Sequence, residues 1–352
     1  MSTLHKAAAF SDIHWGAKSN SEQHNQDCLN FISWFCNEVK ADPEIDHIVF
    51  GGDWFENRQH LNVMTVNYSY RGAKMLNELG LPIFFLIGNH DLFHRHTREL
   101  YSPINFHEFH NFQIIDEPTV MANIGTGNGT LMCPFLFPHE YPDLVEYNNI
   151  PVWWGHFEFK GFIVTGYDIK MLTGPDAENF TKPVRIFSGH FHKRQINKNV
   201  VYIGNTFPTN FSDANDTDRG MAIYEYINDD LKFKNWPDCP KYVKTKLTSL
   251  LDGKVTLLPQ TRVKCVVDVP LTFEESTQLR TKFVETNSLR EFMMEESIEI
   301  SNIITDTETE MIDWENTELS GIDDLVIRML EDIDTDQIDK NLLIEIYKEL
   351  KI

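Results

Sequence analysis

The chain has 352 residues, 41% of them hydrophobic, and a formal net charge of -22 at pH 7. That length accommodates one large domain plus one or two small ones. No run of 18 apolar residues occurs, so no membrane span is expected, and Met1-Ser2-Thr3-Leu4-His5-Lys6 lacks the pattern of a secretory signal.

In chain order, short apolar runs bounded by polar or glycine residues predict strands at 6–10, 47–50, 82–87, 112–115, 131–136, 152–154, 184–187, 200–203 and 221–226. Helical spacing of Leu29, Ile32, Phe35, Cys36 and Val39 predicts a helix over 28–39. Leu61, Met64, Met75, Leu76 and Leu79 predict another over 61–79. The early strand–helix–strand order predicts parallel pairing, and the later strand-dense part a second, mixed sheet, so the expected architecture is an α/β sandwich. Trp153 and Trp154 are expected to pack in that sheet. Pro237 and Pro240 mark a boundary, giving a main domain over 1–237. A strand at 263–269 and a helix at 273–284 predict a small α+β module within 241–304. Residues 305–321 read as an acidic linker. In 322–352, Ile322, Leu325, Val326, Met329, Leu330 and Ile333, then Ile338, Leu342, Ile346 and Leu350, predict an acidic amphipathic helix pair. Its apolar face either folds back on its own module or docks a partner. Asp332-x-Asp334-x-Asp336 is not a calcium loop, because the sixth position is Gln337 and the twelfth is Leu343.

Five scattered cysteines with no CxxC pair predict reduced, structural thiols in a cytoplasmic compartment. The acidity is unevenly spread. Residues 271–352 hold 22 acidic and seven basic residues, so most of the charge that opposes a nucleic-acid partner belongs to the C-terminal region. All 14 histidines lie between His5 and His192. That asymmetry marks the N-terminal region as the one that uses imidazole.

Five short motifs occur in order: Asp12-Ile13-His14, Gly52-Asp53, Gly88-Asn89-His90-Asp91, Gly155-His156 and Gly189-His190-Phe191-His192. Four of them directly follow a predicted strand, which holds a side chain rigidly at the lip of a cleft. Asp12 and His14 are two apart, as are His190 and His192, so an extended backbone turns both members to one side. Carboxylate, amide oxygen and imidazole together suit manganese, iron or zinc. Among the carboxylates, Asp53 is the natural bridge between two ions.

The set resembles the calcineurin-like metallophosphoesterase superfamily. Within it, Ser11-Asp12-Ile13-His14-Trp15-Gly16, Gly51-Gly52-Asp53-Trp54-Phe55 and Gly189-His190-Phe191-His192 are similar to the SbcD family, the nuclease subunits of the recombination and double-strand-break repair complex, phage recombination subunits included. Tyr202-Ile203-Gly204-Asn205-Thr206 and Asp218-Arg219-Gly220 fit the phage-type members, and the compact length favours a phage or bacterial one. The resemblance implies a sandwich of two mixed sheets flanked by helices, a small α+β capping domain and C-terminal helices. It implies two Mn2+ per subunit, with Mg2+, Fe2+ or Zn2+ as substitutes. Asp12, His14 and His192 would hold one ion, Asn89, His156 and His190 the other, and Asp53 would bridge them. His90 would be the general acid, oriented by Asp91. Where archaeal and eukaryotic enzymes have a histidine three residues after the bridging aspartate, this chain has Glu56.

The implied activity is that of a DNA phosphodiesterase, an exonuclease and endonuclease acting on double-stranded DNA ends in the cytoplasm (that of a bacterial host, for a phage protein). The implied partner is an SbcC-like coiled-coil ATPase, gripped by 322–352 in a heterotetramer around a homodimer, for which 61–79 is a candidate surface. Arg95, Lys193 and Arg194 are candidate DNA contacts. His94, His96 and Arg98 are weighed for the same role against a solvated helix start. The alternatives are a calcineurin-like phosphoesterase of another class, such as a cyclic-nucleotide phosphodiesterase or protein phosphatase, and a scaffold without chemistry. The last predicts missing ligands, and all seven positions are filled.

Overall fold

The computed structural model describes residues 3–296 apart from Thr126 and residues 165–168. The expected linker 305–321 and helix pair 322–352 lie outside the described residues, as does the end of the small module.

The parallel order expected at the N-terminus is present. Strands β1 (Lys6–Phe10), β2 (His47–Phe50), β3 (Ile83–Leu86) and β4 (Phe112–Ile115) pair in parallel, in sequence order. After a single turn, α1 (Ala17–Asn20), helix α2 (Glu22–Ala41) connects β1 to β2, and α3 (Val63–Asn77) connects β2 to β3. Ser21 caps α2 by accepting from the His24 N–H, and Asn62 caps α3 by accepting from Met64 N–H at 2.9 Å. The five residues predicted to line one face of α2 are all buried. Two later strands, β11 (Gly220–Glu225) and β12 (Asp230–Asn235), add antiparallel to β1, giving a six-stranded sheet ordered β12-β11-β1-β2-β3-β4.

The second sheet is also six-stranded and mixed. It comprises β5 (Thr119–Met121), β6 (Thr130–Met132), β7 (Val152–Gly155), β8 (Arg185–Ser188), β9 (Gln195–Asn197) and β10 (Val200–Tyr202), ordered β5-β6-β7-β8-β10-β9. Ala7, Val49, Phe84 and Leu86 of the first sheet share a core with Met132, Trp154, Phe187 and Val201 of the second. Trp153 points the other way, into a separate cluster with Phe157 and Phe180. Both tryptophans are buried in the sheet, as expected. The two sheets with their helices are the α/β sandwich read from the sequence.

A third, three-stranded sheet follows the proline-rich break: β13 (Tyr242–Lys246), β14 (Arg262–Val267) and β15 (Glu291–Glu296), all parallel. Helices α4 (Leu247–Leu251) and α5 (Phe273–Asn287) cover it, and Leu247, Val263, Cys265 and Phe292 form its core. The described residues belong to one compact unit. Arg290, just before β15, reaches Asp27 on α2 through two hydrogen bonds of 2.5 and 2.8 Å. All five cysteines are buried and unpaired with one another. No helix of the described residues is long and apolar enough to cross a membrane.

Candidate metal centre

The motif loops leave the ends of β1, β2, β3, β7 and β8 and converge on one cleft. The backbone is forced to turn sharply there. Asp12, His14, Asp53 and His190 have φ of 54°, 51°, 60° and 85°, a left-handed conformation that side-chain-bearing residues rarely adopt. Each costs about 1–3 kcal/mol. Burial of a single phenylalanine in the adjoining core contributes about 2 kcal/mol, and that core holds Phe10, Phe31, Phe35, Phe50 and Phe85, so the sandwich can sustain the strain. Glycine is required where these loops touch. A Cβ on Gly52 would lie 2.5 Å from His156 Nδ1, and one on Gly88 would collide with the Asp53 carboxylate.

The side chains fall into two groups around Asp53. In the first, Asp12, His14 and His192 place ligand atoms within 4.8 Å of one another, and His14 Nε2 faces His192 Nε2 at 3.1 Å. Two ring nitrogens aimed at one point fit a shared cation. In the second, Asn89 Oδ1 lies 2.9 Å from His156 Nε2 and 3.0 Å from His190 Nδ1, while Asp53, His156 and His190 again converge. The Asp53 Oδ2 atom stands between the groups, 3.9 Å from His14 Nε2 and 3.4 Å from His156 Nε2. All seven residues expected to hold metal are therefore brought together. Their mixture of carboxylate, amide oxygen and imidazole fits two divalent cations sharing one carboxylate.

Charge is crowded without cations. Burial alone would strip the proton from His14, but the hydrogen bond to Glu56 and the carboxylates of Asp53, Glu56 and Asp12 outweigh it and raise its pKa to about 9. His156 is likewise opposed by burial and raised to about 9, chiefly by Asp53. Burial, reinforced by the charge on His156, pushes His190 down to about 3. Burial, with His14 next, holds His192 well below the usual histidine value. Each pair thus carries one charged and one neutral ring.

Surrounding groups fix the ring orientations. His156 Nδ1 donates to the Gly51 carbonyl at 2.7 Å. Glu56 Oε2 lies 2.8 Å from His14 Nδ1, so the residue that departs from the related pattern holds the His14 ring from behind. His24, at the start of α2, places Nε2 2.8 Å from the His14 carbonyl oxygen. Asn205 N–H donates to the His192 carbonyl at 3.1 Å. Sequence reasoning gave none of these supporting contacts. A buried histidine inside an amphipathic helix, such as His24, carries no local mark that distinguishes it from core.

His90 sits beside the first group, its ring centroid 5.0 Å from that of His14. Its N–H donates to Asp53 Oδ1 at 2.7 Å, and its Nδ1 donates to the Glu56 carbonyl at 2.8 Å. The orientation expected from Asp91 is corrected here. The Asp91 carboxylate accepts from the N–H groups of Asp53, Trp54, Phe55 and Gly88, between 2.9 and 3.2 Å. It ties the β2 and β3 loops together, and Glu56 takes the part of holding the His90 ring. Burial, with the charge of Asp53 next, raises the pKa of Asp91 to about 7 despite those donors.

The candidate DNA contacts are placed differently from one another. Arg95 is exposed. Arg194 lies 4.2 Å above the Phe233 ring, with Nη1 2.7 Å from Asn235 Oδ1. Lys193 is half-buried. Arg98 pairs with Glu140 and the Phe135 carbonyl, and the stretch around His94 and His96 is not helical. Arg58, which sequence reasoning passed over, is half-buried within electrostatic reach of Asp53 and Asp91.

A strand-borne cleft of this composition defines a metallophosphoesterase. Residues 5–194 match the calcineurin-like phosphoesterases, and the chain belongs to that family. The family is dimetal-dependent, and the convergent groups above supply candidate ligands. Exonuclease subunit 1 of Enterobacteria phage T4 is 24% identical over 228 residues, which cover 62% of this chain and 64% of that protein. The chain thus spans just under two thirds of that relative. Among solved structures, a dimetal phosphatase from Danio rerio aligns with a TM-score of 0.41 and 8% identity, covering 66% of this chain and 96% of that one. The Pseudomonas putida nuclease MPE aligns with a TM-score of 0.31 and 12% identity, over 62% and 84%. These last two likenesses are too low to carry a statement about this chain.

Proposed function

We propose that this protein is a manganese-dependent nuclease that processes double-stranded DNA ends for recombination and repair. The observation that carries the proposal is the convergence of seven ligand side chains in a chain homologous to a phage exonuclease subunit. In the proposed assignment Asp12, His14 and His192 hold one ion, Asn89, His156 and His190 the other, and Asp53 both. Such ions polarise the phosphate, neutralise developing charge and activate water. The chain's own residues supply the rest. Glu56 and Gly51 fix the rings of His14 and His156, so that their Nε2 atoms stay aimed at the cleft. The Glu56 carbonyl accepts only, so the His90 Nδ1 carries a hydrogen; when the ring is doubly protonated, Nε2 is the atom that passes its proton to the leaving oxygen and is left as the neutral ring's acceptor nitrogen.

The proposed assembly is a homodimer bound to an SbcC-like coiled-coil ATPase, in the cytoplasm. The residues of α3 support a self-contact: Val63, Val66 and Tyr70 are 77%, 38% and 54% exposed. Residues 241–304 act as the capping domain, and 322–352 grip the ATPase. The test is Mn2+-dependent digestion of end-labelled duplex DNA, with and without the ATPase and ATP, beside a small phosphodiester substrate. Duplex cleavage is expected. Activity confined to the small substrate would contradict the proposal and favour another phosphoesterase class. Deleting residues 318–352 is expected to abolish co-purification with the ATPase while metal binding persists.

A further inference from the structure

Beside the metal cleft lies a cavity of about 530 Å3. Its floor is apolar and aromatic, formed by the buried Leu136, Tyr141 and Phe180. Val145, 61% exposed, stands at its rim, and Asn179, in an exposed turn, also lines it. Glu158 is the wall it shares with the metal site: its Oε2 lies 3.8 Å from His190 Nε2, and its N–H donates to the Tyr141 hydroxyl at 2.8 Å. Glu158 thus borders both the cavity and the proposed metal site.

The lining chemistry selects the occupant. Among the described residues no basic side chain lines the cavity, and Glu158 contributes its carboxyl group to the wall. A phosphate or other anion meets no cationic partner among those residues. A flat, neutral heteroaromatic ring is suited to the walls, and its exocyclic amino group can donate to Glu158 while Asn179 pairs with the ring edge. The volume exceeds that of one base and lies within the range of small-ligand pockets. We propose that this cavity receives the nucleobase adjoining the scissile phosphate, turned out of its stack. The inference rests on the nuclease function proposed above. Extrusion costs least where a base is already unpaired, so frayed ends are the favoured substrates.

The test uses the full chain with Mn2+ and two end-labelled duplexes. They differ only in abasic units flanking the labelled terminal phosphodiester on either side. Seating a base on aromatic and apolar walls commonly yields about five- to hundred-fold in affinity. Wild type is expected to cleave the intact duplex about tenfold better in kcat/KM. Val145→Trp, which fills the rim from an exposed position, is expected to bring that ratio close to one, and Asn179→Ala to lower it. Folding of each variant is checked by its melting temperature. Equal cleavage of both duplexes by wild type, or a ratio that survives in Val145→Trp, would overturn the proposal. Wild type that cuts neither duplex yet hydrolyses a small phosphodiester would remove the nuclease function itself, and the base as occupant with it.

Discussion

The Glu56 side chain touches His14 through its carboxylate, and its backbone carbonyl holds His90, so one residue orients both a proposed ligand and the proposed acid. The two contacts separate by mutation. Glu56→Ala removes the carboxylate and leaves the carbonyl. It is expected to weaken Mn2+ binding about 10- to 100-fold, the usual effect of losing a partner behind a metal-bound histidine. Calorimetric titration checks this, and unchanged affinity would show that the His14 ring needs no such support. His90→Ala is expected to keep Mn2+ affinity and to lose about a hundred- to ten-thousand-fold in cleavage rate. Undiminished cleavage would remove His90 from proton transfer. The convergence of the proposed ligands was legible because residue type and strand-end position coincide in most of the motifs, with a glycine just before Asp53, Asn89, His156 and His190. The partner of His90 was not. Asp91 follows it directly in sequence, yet a carboxylate with four backbone donors at hand turns into the loop rather than towards its neighbour's ring.

At the scale of elements, the strongly apolar strands were legible and the polar ones were not. Strands β1 to β4, β7, β8, β10 and β11 fall on the predicted runs; most of them are buried on both faces, and such a strand reads as a continuous apolar stretch. The strands β5, β9, β12, β13 and β15 were missed. Most of them carry a polar or exposed side: β12 is Asp-Leu-Lys-Phe-Lys-Asn, and Gln195 and Asn197 flank the one apolar residue of β9. Tertiary pairing, not local pattern, makes these segments strands. Helix α5 runs to Asn287, three residues past its predicted end, under a capping box formed by Thr272 and Glu275. The tie between the third sheet and α2 is open to test. Asp27 and Arg290 are both largely buried and doubly hydrogen-bonded. Arg290→Ala leaves Asp27 buried without its cation, and is expected to cost about 3 kcal/mol in denaturant unfolding. A loss below about 0.5 kcal/mol, typical of a surface pair, would show that the contact does not hold the module in place.

At the scale of the whole chain, the net charge of -22 ceases to oppose a polyanionic substrate once its location is seen. The first 270 residues carry 31 acidic and 24 basic groups, and two of those acids, Asp12 and Asp53, are proposed metal ligands. Two divalent cations would add four positive charges where the substrate phosphate is to bind. The proline break at 237–240 falls just ahead of β13, the first strand of the third sheet. That the small module is all-parallel and joined to α2 was not legible in the sequence, because a single ion pair 263 residues apart in sequence leaves no local trace. The claim on which everything rests is that seven side chains hold two ions with Asp53 between them. Counting Mn2+ bound per chain at saturation, in wild type and in Asp53→Asn, tests it most directly. Two ions in wild type and fewer in the variant are predicted; a single ion in wild type, or two retained in Asp53→Asn at undiminished affinity, would contradict it.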